Sequence, residues 1–257
     1  MVNNMVNNSI KFEKLETMTG CLTVVRDDFL PGGTKQRGAI PFLKQLQREG
    51  VTEFVYASPF AGFAQVALAK SCDLLGAKCT IFAESVQGGM SGYTKLIADK
   101  ATIKLMPSLA HAERAAEIYA NQSNCFKIPL GFDHNLFRYF LKRELGKQWR
   151  YLCNSLGFIP KNLWLPVGSG TLATTFFDVA PDTFLKLVDV RVLRSSDERI
   201  QGIMKLDRAE YFQSPHAFHD PSAEIPPIPS NLYYDAKLWQ FITRQAKPQD
   251  VWWNVAG

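Results

Sequence analysis

One lysine stands where the sequence could support carbonyl chemistry. Lys35 follows a β-branched run, an acidic pair and a Pro-Gly-Gly turn, and a helical pattern begins after it at Ile40. Glycines at such a corner let the backbone approach a ligand and leave room for a flat ring. An amine held there near a cation such as Arg37 can lose its proton and attack a carbonyl to form a Schiff base. A solvated lysine after a turn is the competing interpretation, because most lysines lie on protein surfaces.

A second corner could bind an anion. A predicted strand over residues 163–167 runs directly into a glycine-rich turn, and a predicted helix follows over residues 172–179. The turn consists of Gly168, Ser169, Gly170 and Thr171. Its backbone N–H groups and the positive end of the helix dipole favour a phosphate. An ordinary tight turn explains the glycines equally well.

The elements that must position these corners alternate between strands and helices. Residues 53–82 have the strand, loop, helix, strand order of a βαβ unit, which predicts a parallel sheet with right-handed crossovers. The pattern continues through a long helix at 135–156 to a last strand at 250–255. Residues 213–230 are rich in proline and polar side chains and indicate a long loop. Two histidines in this loop, His216 and His219, lack further spaced ligands, and we expect no metal site.

Composition restricts the classes of function. The 257 residues are 46% hydrophobic and 21% charged, as in a soluble globular protein, and no apolar run approaches the roughly 20 residues of a membrane span. The start of the chain lacks the regions of a signal peptide, and five cysteines without a CxxC spacing predict free thiols in the cytoplasm. The net charge is +5. One basic cluster is compatible with a solvated helix face or with contact to a polyanion, and consists of Lys142, Arg143, Lys147 and Arg150.

Taken in order, the corners resemble the fold-type-II pyridoxal-phosphate enzymes. Residues 26–28 read Arg-Asp-Asp, residues 32–37 Gly-Gly-Thr-Lys-Gln-Arg, and residues 167–171 Val-Gly-Ser-Gly-Thr. The resemblance is strongest to the branch of aminocyclopropane-carboxylate deaminase and D-cysteine desulfhydrase, where Gly-Gly-Asn-Lys-x-Arg follows Arg-Glu-Asp and the lysine carries the cofactor. It implies pyridoxal 5'-phosphate as cofactor, Lys35 as the Schiff-base lysine, and the turn from Gly168 to Thr171 as the phosphate site. It covers the chain from about Leu22 to its end.

The resemblance implies further site residues. The segment Asn231–Lys237 is similar to Asp-Pro-Val-Tyr-x-Gly-Lys, which places Tyr234 opposite the substrate and Asp235 near the ring nitrogen. Ser58 and Phe63 bound the loop that would face the cofactor. Ser58 and Tyr234 are then candidate acids, bases or carboxylate contacts, and Phe63 is a cofactor contact. Core packing is the alternative for Tyr234, and a helix N-terminal acid the alternative for Asp235.

Two departures from the family pattern affect the expected specificity. The asparagine of the cofactor-facing loop is absent, with Gly62 and Phe63 near its place, and Thr34 replaces the asparagine before the lysine. Phe60 and Phe63 suggest a reshaped pocket that is more apolar or suited to stacking.

The predicted fold is therefore α/β, with two domains built as three-layer αβα open sheets in the fold-type-II architecture. Residues 1–37 with 133–257 are predicted to form a large cofactor-binding domain, and residues 38–132 a small inserted one. The cofactor should lie in the cleft at the carboxyl ends of the strands. We expect a homodimer that contacts no membrane and takes a small amino-acid-like substrate.

Three functions follow from these expectations. The first is a lyase that acts at the α- or β-carbon of a small amino acid or derivative by deamination, β-elimination or decarboxylation. The second is a pyridoxal-phosphate enzyme, for example a decarboxylase, whose amino-acid group is attached to a carrier such as a hypermodified DNA base, so that nucleic acid would be a partner. The third is a catalytically inactive binding module.

Overall fold

The computed structural model describes residues 10–123 and 125–257, in which strands and helices alternate. The strands are β1 (Phe12–Thr17), β2 (Gly20–Arg26), β3 (Glu53–Ser58), β4 (Lys78–Glu84), β5 (Thr102–Met106), β6 (Phe126–Ile128), β7 (Asn162–Val167), β8 (Phe184–Asp189), β9 (Ala209–Gln213) and β10 (Val251–Asn254). The helices are α1 (Gly33–Arg48), α2 (Ala64–Leu75), α3 (Gly92–Lys95), α4 (Leu109–Ser123), α5 (Asn135–Leu156), α6 (Thr171–Val179), α7 (Glu198–Met204) and α8 (Trp239–Gln245).

Two sheets organise the described part of the chain. The larger has six strands in the order β1-β2-β10-β7-β8-β9, and the smaller has four in the order β5-β4-β3-β6. All neighbouring strands pair in parallel except β1, which is antiparallel to β2. Because parallel neighbours need crossover connections, helices join them, as the sequence predicts.

The two ends of the described chain meet in the larger sheet. Strand β10 lies between β2 and β7, with Trp253 opposite Val25 and Trp252 opposite Trp164. All three tryptophans are fully buried, so they fill the layers between this sheet and its helices. The last strand therefore completes the core beneath the Lys35 corner.

The smaller sheet contains the strands between residues 53 and 128, and the larger sheet contains the strands on either side of that range. Helix α1 crosses the predicted boundary after residue 37 and packs against both α2 and α5. The division into a domain of residues 38–132 and one formed by both ends stays a prediction.

The start of α1 differs from the sequence-based expectation. The predicted helix begins at Ile40, where apolar residues at helical spacing begin. The helix begins at Gly33 instead, with Pro41 in its interior. The Gln36 side chain accepts a hydrogen bond from Gly32 N at 2.7 Å, and this bond helps to hold the extra turn. Lys35 is consequently a helical residue in the first turn.

Other boundaries also differ. The patterns predict no strand at β1 or β9, which are the edge strands of the larger sheet and carry few buried side chains. The helix predicted at 92–100 is confined to α3, and the one predicted at 234–243 is a 3₁₀ turn at Asp235–Leu238 followed by α8. Every helix among the described residues is too short or too polar to cross a membrane.

Candidate active site

The first turn of α1 is locked to the end of the chain. Gly33 has a φ of +63°, and a Cβ there would overlap the carbonyl oxygen of Val255. Thr34 N donates a hydrogen bond to the same oxygen at 2.8 Å. Only glycine combines this backbone conformation with so close an approach. The position of Lys35 therefore depends on the segment that follows β10.

A buried carboxylate fixes the same turn from below. Asp27 is fully buried and accepts hydrogen bonds from Thr34 Oγ1 at 2.8 Å, from Arg37 Nε at 3.0 Å and from Trp253 Nε1 at 3.0 Å. An Arg37 Nη atom also lies 2.5 Å from this carboxylate. The charge of Arg37 is thus matched by Asp27. The expectation that Arg37 acts as a cationic neighbour that lowers the pKa of Lys35 is wrong.

Burial accounts for the lowered pKa of the Lys35 amine. It lowers the pKa of Lys35 from 10.5 to about 8. Lys35 lines a cavity, and among the described residues its Nζ has no hydrogen-bond or ion-pair partner. An amine in this state is deprotonated readily enough to be a nucleophile near neutral pH.

The cavity lies where the carboxyl ends of both sheets face each other. Its volume is about 290 Å³, and its walls are mostly apolar with a few polar groups, as is usual for small-molecule sites. The predicted site residues that line it are Lys35, Phe63, Gly168, Ser169, Gly170, Tyr234 and Asp235. Residues from distant parts of the sequence therefore meet in one place.

Ser58 and Thr171 are not among the lining residues. Ser58 is fully buried at the end of β3, and its hydroxyl donates to the carbonyl of Pro59 at 3.0 Å. The Thr171 hydroxyl is 3.2 Å from Ser169 Oγ and lies behind that residue at the start of α6. Other donors of the loop after β3 are also used internally, since Phe60 N donates to Glu84 Oε2 at 3.2 Å.

The turn between β7 and α6 presents free backbone donors to the cavity. Within the described chain, the N–H groups of Ser169, Gly170 and Thr171 have no hydrogen-bond acceptor. Gly170 has a φ of +85°, and a Cβ on Gly168 would lie 2.9 Å from Tyr234 Cε1. The two glycines therefore allow a tight turn with an aromatic ring packed against it. Such a turn at a helix N-terminus suits a phosphate.

Asp235, which also lines the cavity, has one carboxylate oxygen with no hydrogen-bond partner among the described residues. Its Oδ1 accepts a hydrogen bond from Val255 N at 2.7 Å, and its Oδ2 is buried without a partner in the described part of the chain. Burial raises the pKa of Asp235 well above its usual range. Because an unpaired buried carboxylate oxygen is costly, this position calls for an N–H donor or a cation.

The sequence interpretation missed three polar residues that line the cavity: Tyr56, Asn231 and Arg199, the last of which pairs with Asp197 at 2.8 Å. Tyr56 lies on β3 and accepts a hydrogen bond from Gly131 N at 3.3 Å. Asn231 is buried, with an amide nitrogen that makes no hydrogen bond. The resemblance pointed to the loop after β3 rather than to the strand itself. The available signal was a tyrosine near the carboxyl end of a parallel strand, where open α/β folds place their ligands.

No family model matches the sequence, and none of the curated proteins does. Solved structures share its fold. An ACC deaminase homologue has a TM-score of 0.77 at 12% sequence identity, covering 96% of this chain and 89% of its own. Holo diaminopropionate ammonia lyase from Escherichia coli has a TM-score of 0.73 at 12% identity, covering 98% of this chain and 85% of its own.

A hydrogen sulfide-producing enzyme from Fusobacterium nucleatum has a TM-score of 0.66 at 15% identity, covering 100% of this chain and 98% of its own. At these identities the likeness concerns the fold. It confirms the predicted α/β class and the architecture of the fold-type-II pyridoxal-phosphate enzymes.

Proposed function

We propose that the protein is a pyridoxal-phosphate-dependent lyase that acts at the α- or β-carbon of a small amino acid or an amino-acid derivative. One observation carries the proposal: three groups share one cavity. They are the Lys35 amine, with a pKa near 8, the turn from Gly168 to Thr171 with its free N–H groups, and Asp235 Oδ2, which is buried without a partner among the described residues. The amine is a nucleophile for an aldehyde, the turn can bind a phosphate, and the carboxylate oxygen can accept a hydrogen bond from a protonated ring nitrogen. One cofactor unites all three partners.

The residues present fit that cofactor. Lys35 would hold its aldehyde carbon, and the N–H groups from Ser169 to Thr171 would hold its phosphate. Asp235 Oδ2 would accept the N–H of the pyridine ring. Phe63 lies in the wall of the cavity and packs edge-on against Tyr93 at 5.4 Å, so it offers an apolar surface to the ring.

The bound cofactor supplies an electron sink for the carbanion at the substrate α-carbon. The Lys35 amine, when it is free, would be able to take and return a proton at that carbon, because its pKa near 8 suits both directions. Burial and the nearby Tyr56 phenol raise the pKa of Tyr234, so its hydroxyl stays protonated and acts as a hydrogen-bond or proton donor. Ser58 can contribute only if its hydroxyl leaves the carbonyl of Pro59.

The test is covalent trapping. The protein loaded with pyridoxal phosphate should develop a visible absorbance band, and borohydride reduction should fix the cofactor on the peptide that contains Lys35. Lys35→Ala should lose both signals, whereas Lys44→Ala, an exposed lysine on the same helix, should keep them. A wild-type protein that stays colourless would refute the cofactor assignment. Full biological function of Lys35→Ala would instead favour a non-catalytic binding module.

The substrate and the bond that breaks can be found with a panel of amino acids. A substrate should change the visible spectrum, and its product identifies deamination, β-elimination or decarboxylation. The same proposal includes a homodimer in the cytoplasm. No disulfide joins any of the five cysteines in the described part of the chain, which supports a reducing compartment.

A carrier-linked substrate is the second candidate, and the outer face of α5 favours it. Tyr139 and Tyr151 are 60% and 55% exposed there, and exposed basic side chains lie between them in the helix. Aromatic and basic side chains on one surface suit a polyanion such as nucleic acid. Glu144 offsets part of this charge through ion pairs with Arg143 and Lys147. Activity on free amino acids but on no DNA-linked amino-acid group would exclude this candidate.

A further inference from the structure

We propose that the Tyr56 hydroxyl is an additional hydrogen-bond donor to the phosphate of the cofactor, supplied by the smaller sheet to an anion site built mainly by the larger one. The inference rests on the proposed function and assigns a further residue to its site. It follows from the position of the tyrosine, from the direction of its one hydrogen bond, and from what the donor of that bond touches.

The position of Tyr56 is fixed on all sides. It lies in β3 between Ile81 of β4 and Ile128 of β6, is 2% exposed, and lines the cavity. Its ring packs against Phe132 with 6.0 Å between centroids. A buried tyrosine usually places its hydroxyl against a hydrogen-bond partner.

The one hydrogen bond of this hydroxyl leaves its proton free. Gly131 N donates to the phenol oxygen at 3.3 Å, so the tyrosine accepts in this bond. Among the described residues no group accepts the tyrosine proton in return. Burial raises the pKa of Tyr56, so the phenol remains protonated. A protonated donor without an acceptor therefore borders the cavity.

The residue that holds Tyr56 touches the anion-binding turn. Gly131 has a φ of +70°, and a Cβ on it would lie 2.8 Å from Ser169 Cβ and 3.0 Å from Ser169 Oγ. Gly131, which donates to the phenol, therefore lies directly beside Ser169 of the turn. On the other side of the turn, the ring of Tyr234 meets Gly168, and Tyr56 is near enough to raise the pKa of Tyr234. The free O–H group consequently lies beside the place where the phosphate would sit.

This contact would connect the two sheets through the cofactor. The turn from Gly168 to Thr171 follows β7 of the larger sheet, and Tyr56 belongs to the smaller one. Hydrogen bonds to a charged acceptor are stronger than those between neutral groups. The phosphate would therefore help to hold the sheets together as well as anchor the cofactor.

The experiment compares the binding of pyridoxal phosphate with that of pyridoxal, which lacks the phosphate. Tyr56→Phe keeps the packing on Phe132 and removes only the hydroxyl. We expect it to raise the dissociation constant for pyridoxal phosphate by about tenfold, the effect of one hydrogen bond to an anion, and to leave that for pyridoxal unchanged. The ³¹P resonance of the bound cofactor should also shift. Tyr119→Phe is the control, because its hydroxyl donates to Glu53 Oε1 at 3.0 Å and does not line the cavity.

The outcomes separate this inference from the proposed function. Equal weakening of both ligands by Tyr56→Phe, or no weakening of either, would overturn the phosphate contact while the cofactor site stands. A wild-type protein that binds neither ligand would overturn the proposed function and this inference with it. An unchanged ³¹P resonance in Tyr56→Phe would also count against the contact, whatever the affinity.

Discussion

Replacing Lys35 by methionine should stabilise the cofactor-free protein. The buried amine has a pKa of about 8 instead of 10.5, so the folded state holds its proton less firmly than the unfolded state. That difference corresponds to about 3 kcal/mol of unfolding free energy. Below about pH 8 the buried charge of Lys35 therefore lowers the stability of the wild type by this amount. Methionine has nearly the length of lysine without its charge. We therefore expect Lys35→Met to be about 3 kcal/mol more stable near pH 7.

The sign of the pH dependence is the sharper test. Because the pKa of Lys35 is lowered on folding, the unfolded state binds more protons between pH 8 and pH 10.5, and wild-type stability should rise through this window. Other groups titrate in both proteins and cancel in the difference. The advantage of Lys35→Met should consequently shrink as the pH rises from 8 to 10.5.

Urea unfolding of the cofactor-free wild type and Lys35→Met across this range measures the difference. Lys44→Met, which removes an exposed charge from the same helix, is the matched control. A difference between wild type and Lys35→Met that does not change with pH would show that the amine is hydrated, and would refute the burial argument. The slope of unfolding free energy against urea must stay the same in both proteins for the comparison to hold.

Three other changes have defined outcomes. Gly168→Ala should weaken cofactor binding by about tenfold in a spectroscopic titration, because its Cβ would lie 2.9 Å from Tyr234 Cε1, whereas Gly202→Ala, which meets no atom, should not. Because the pKa of Asp235 is raised on folding, the unfolding free energy of the cofactor-free wild type should fall as the pH rises above 3.8. Asp235→Asn should not show this fall, and urea unfolding curves in which it persists would contradict the argument. Asp27→Ala should cost about 3–5 kcal/mol in urea unfolding, since it removes the carboxylate that pairs with the buried Arg37 guanidinium, and a cost below about 1 kcal/mol would contradict that reasoning.

The order of elements could be predicted because each strand carries its own pattern. Buried parallel strands are continuous apolar runs, and glycines mark several of their ends, so β3, β4 and β7 stand out in the sequence. The edge strands β1 and β9 mix half-buried and exposed side chains and have no such run. The start of α1 was hidden for another reason. Its first turn depends on contacts with Asp27 and Val255, which lie far from it along the chain or outside any local pattern.

The parts of the candidate site that depend on local backbone turns could be predicted from the sequence. The parts that depend on packing between distant segments could not. Lys35 and the turn at Gly168 follow from glycines at the ends of strands, which is a local signal. Tyr56 lines the same cavity because the fold brings its strand next to the connection after β6, from which Gly131 N donates to its hydroxyl. The low pKa of Lys35 has a similar origin, since burial produces it and the adjacent Arg37 is paired with Asp27. Pairing and burial are properties of the folded chain, and residue spacing does not specify them.

Lys35 and Asp235 line the same cavity with opposite formal charges, and they form no ion pair. The backbone of Val255 holds both segments in place. Lys35 is in a helical turn fixed to Val255 O through Thr34 N, and Asp235 Oδ1 is bound by Val255 N. Burial pushes the lysine toward its neutral form and the aspartate toward its protonated form.

A single ligand relieves both penalties if it offers an electrophile to the amine and an N–H donor to the carboxylate. Pyridoxal phosphate has its aldehyde and its ring nitrogen on opposite sides of the ring, and its phosphate arm beside the aldehyde. A ligand with the aldehyde and phosphate but a benzene ring in place of the pyridine would satisfy Lys35 and the turn at Gly168, and leave Asp235 Oδ2 unpaired. We expect it to bind wild type more weakly than pyridoxal phosphate, and Asp235→Ala to remove this preference. Equal affinity of wild type for both ligands would separate Asp235 from the ring nitrogen.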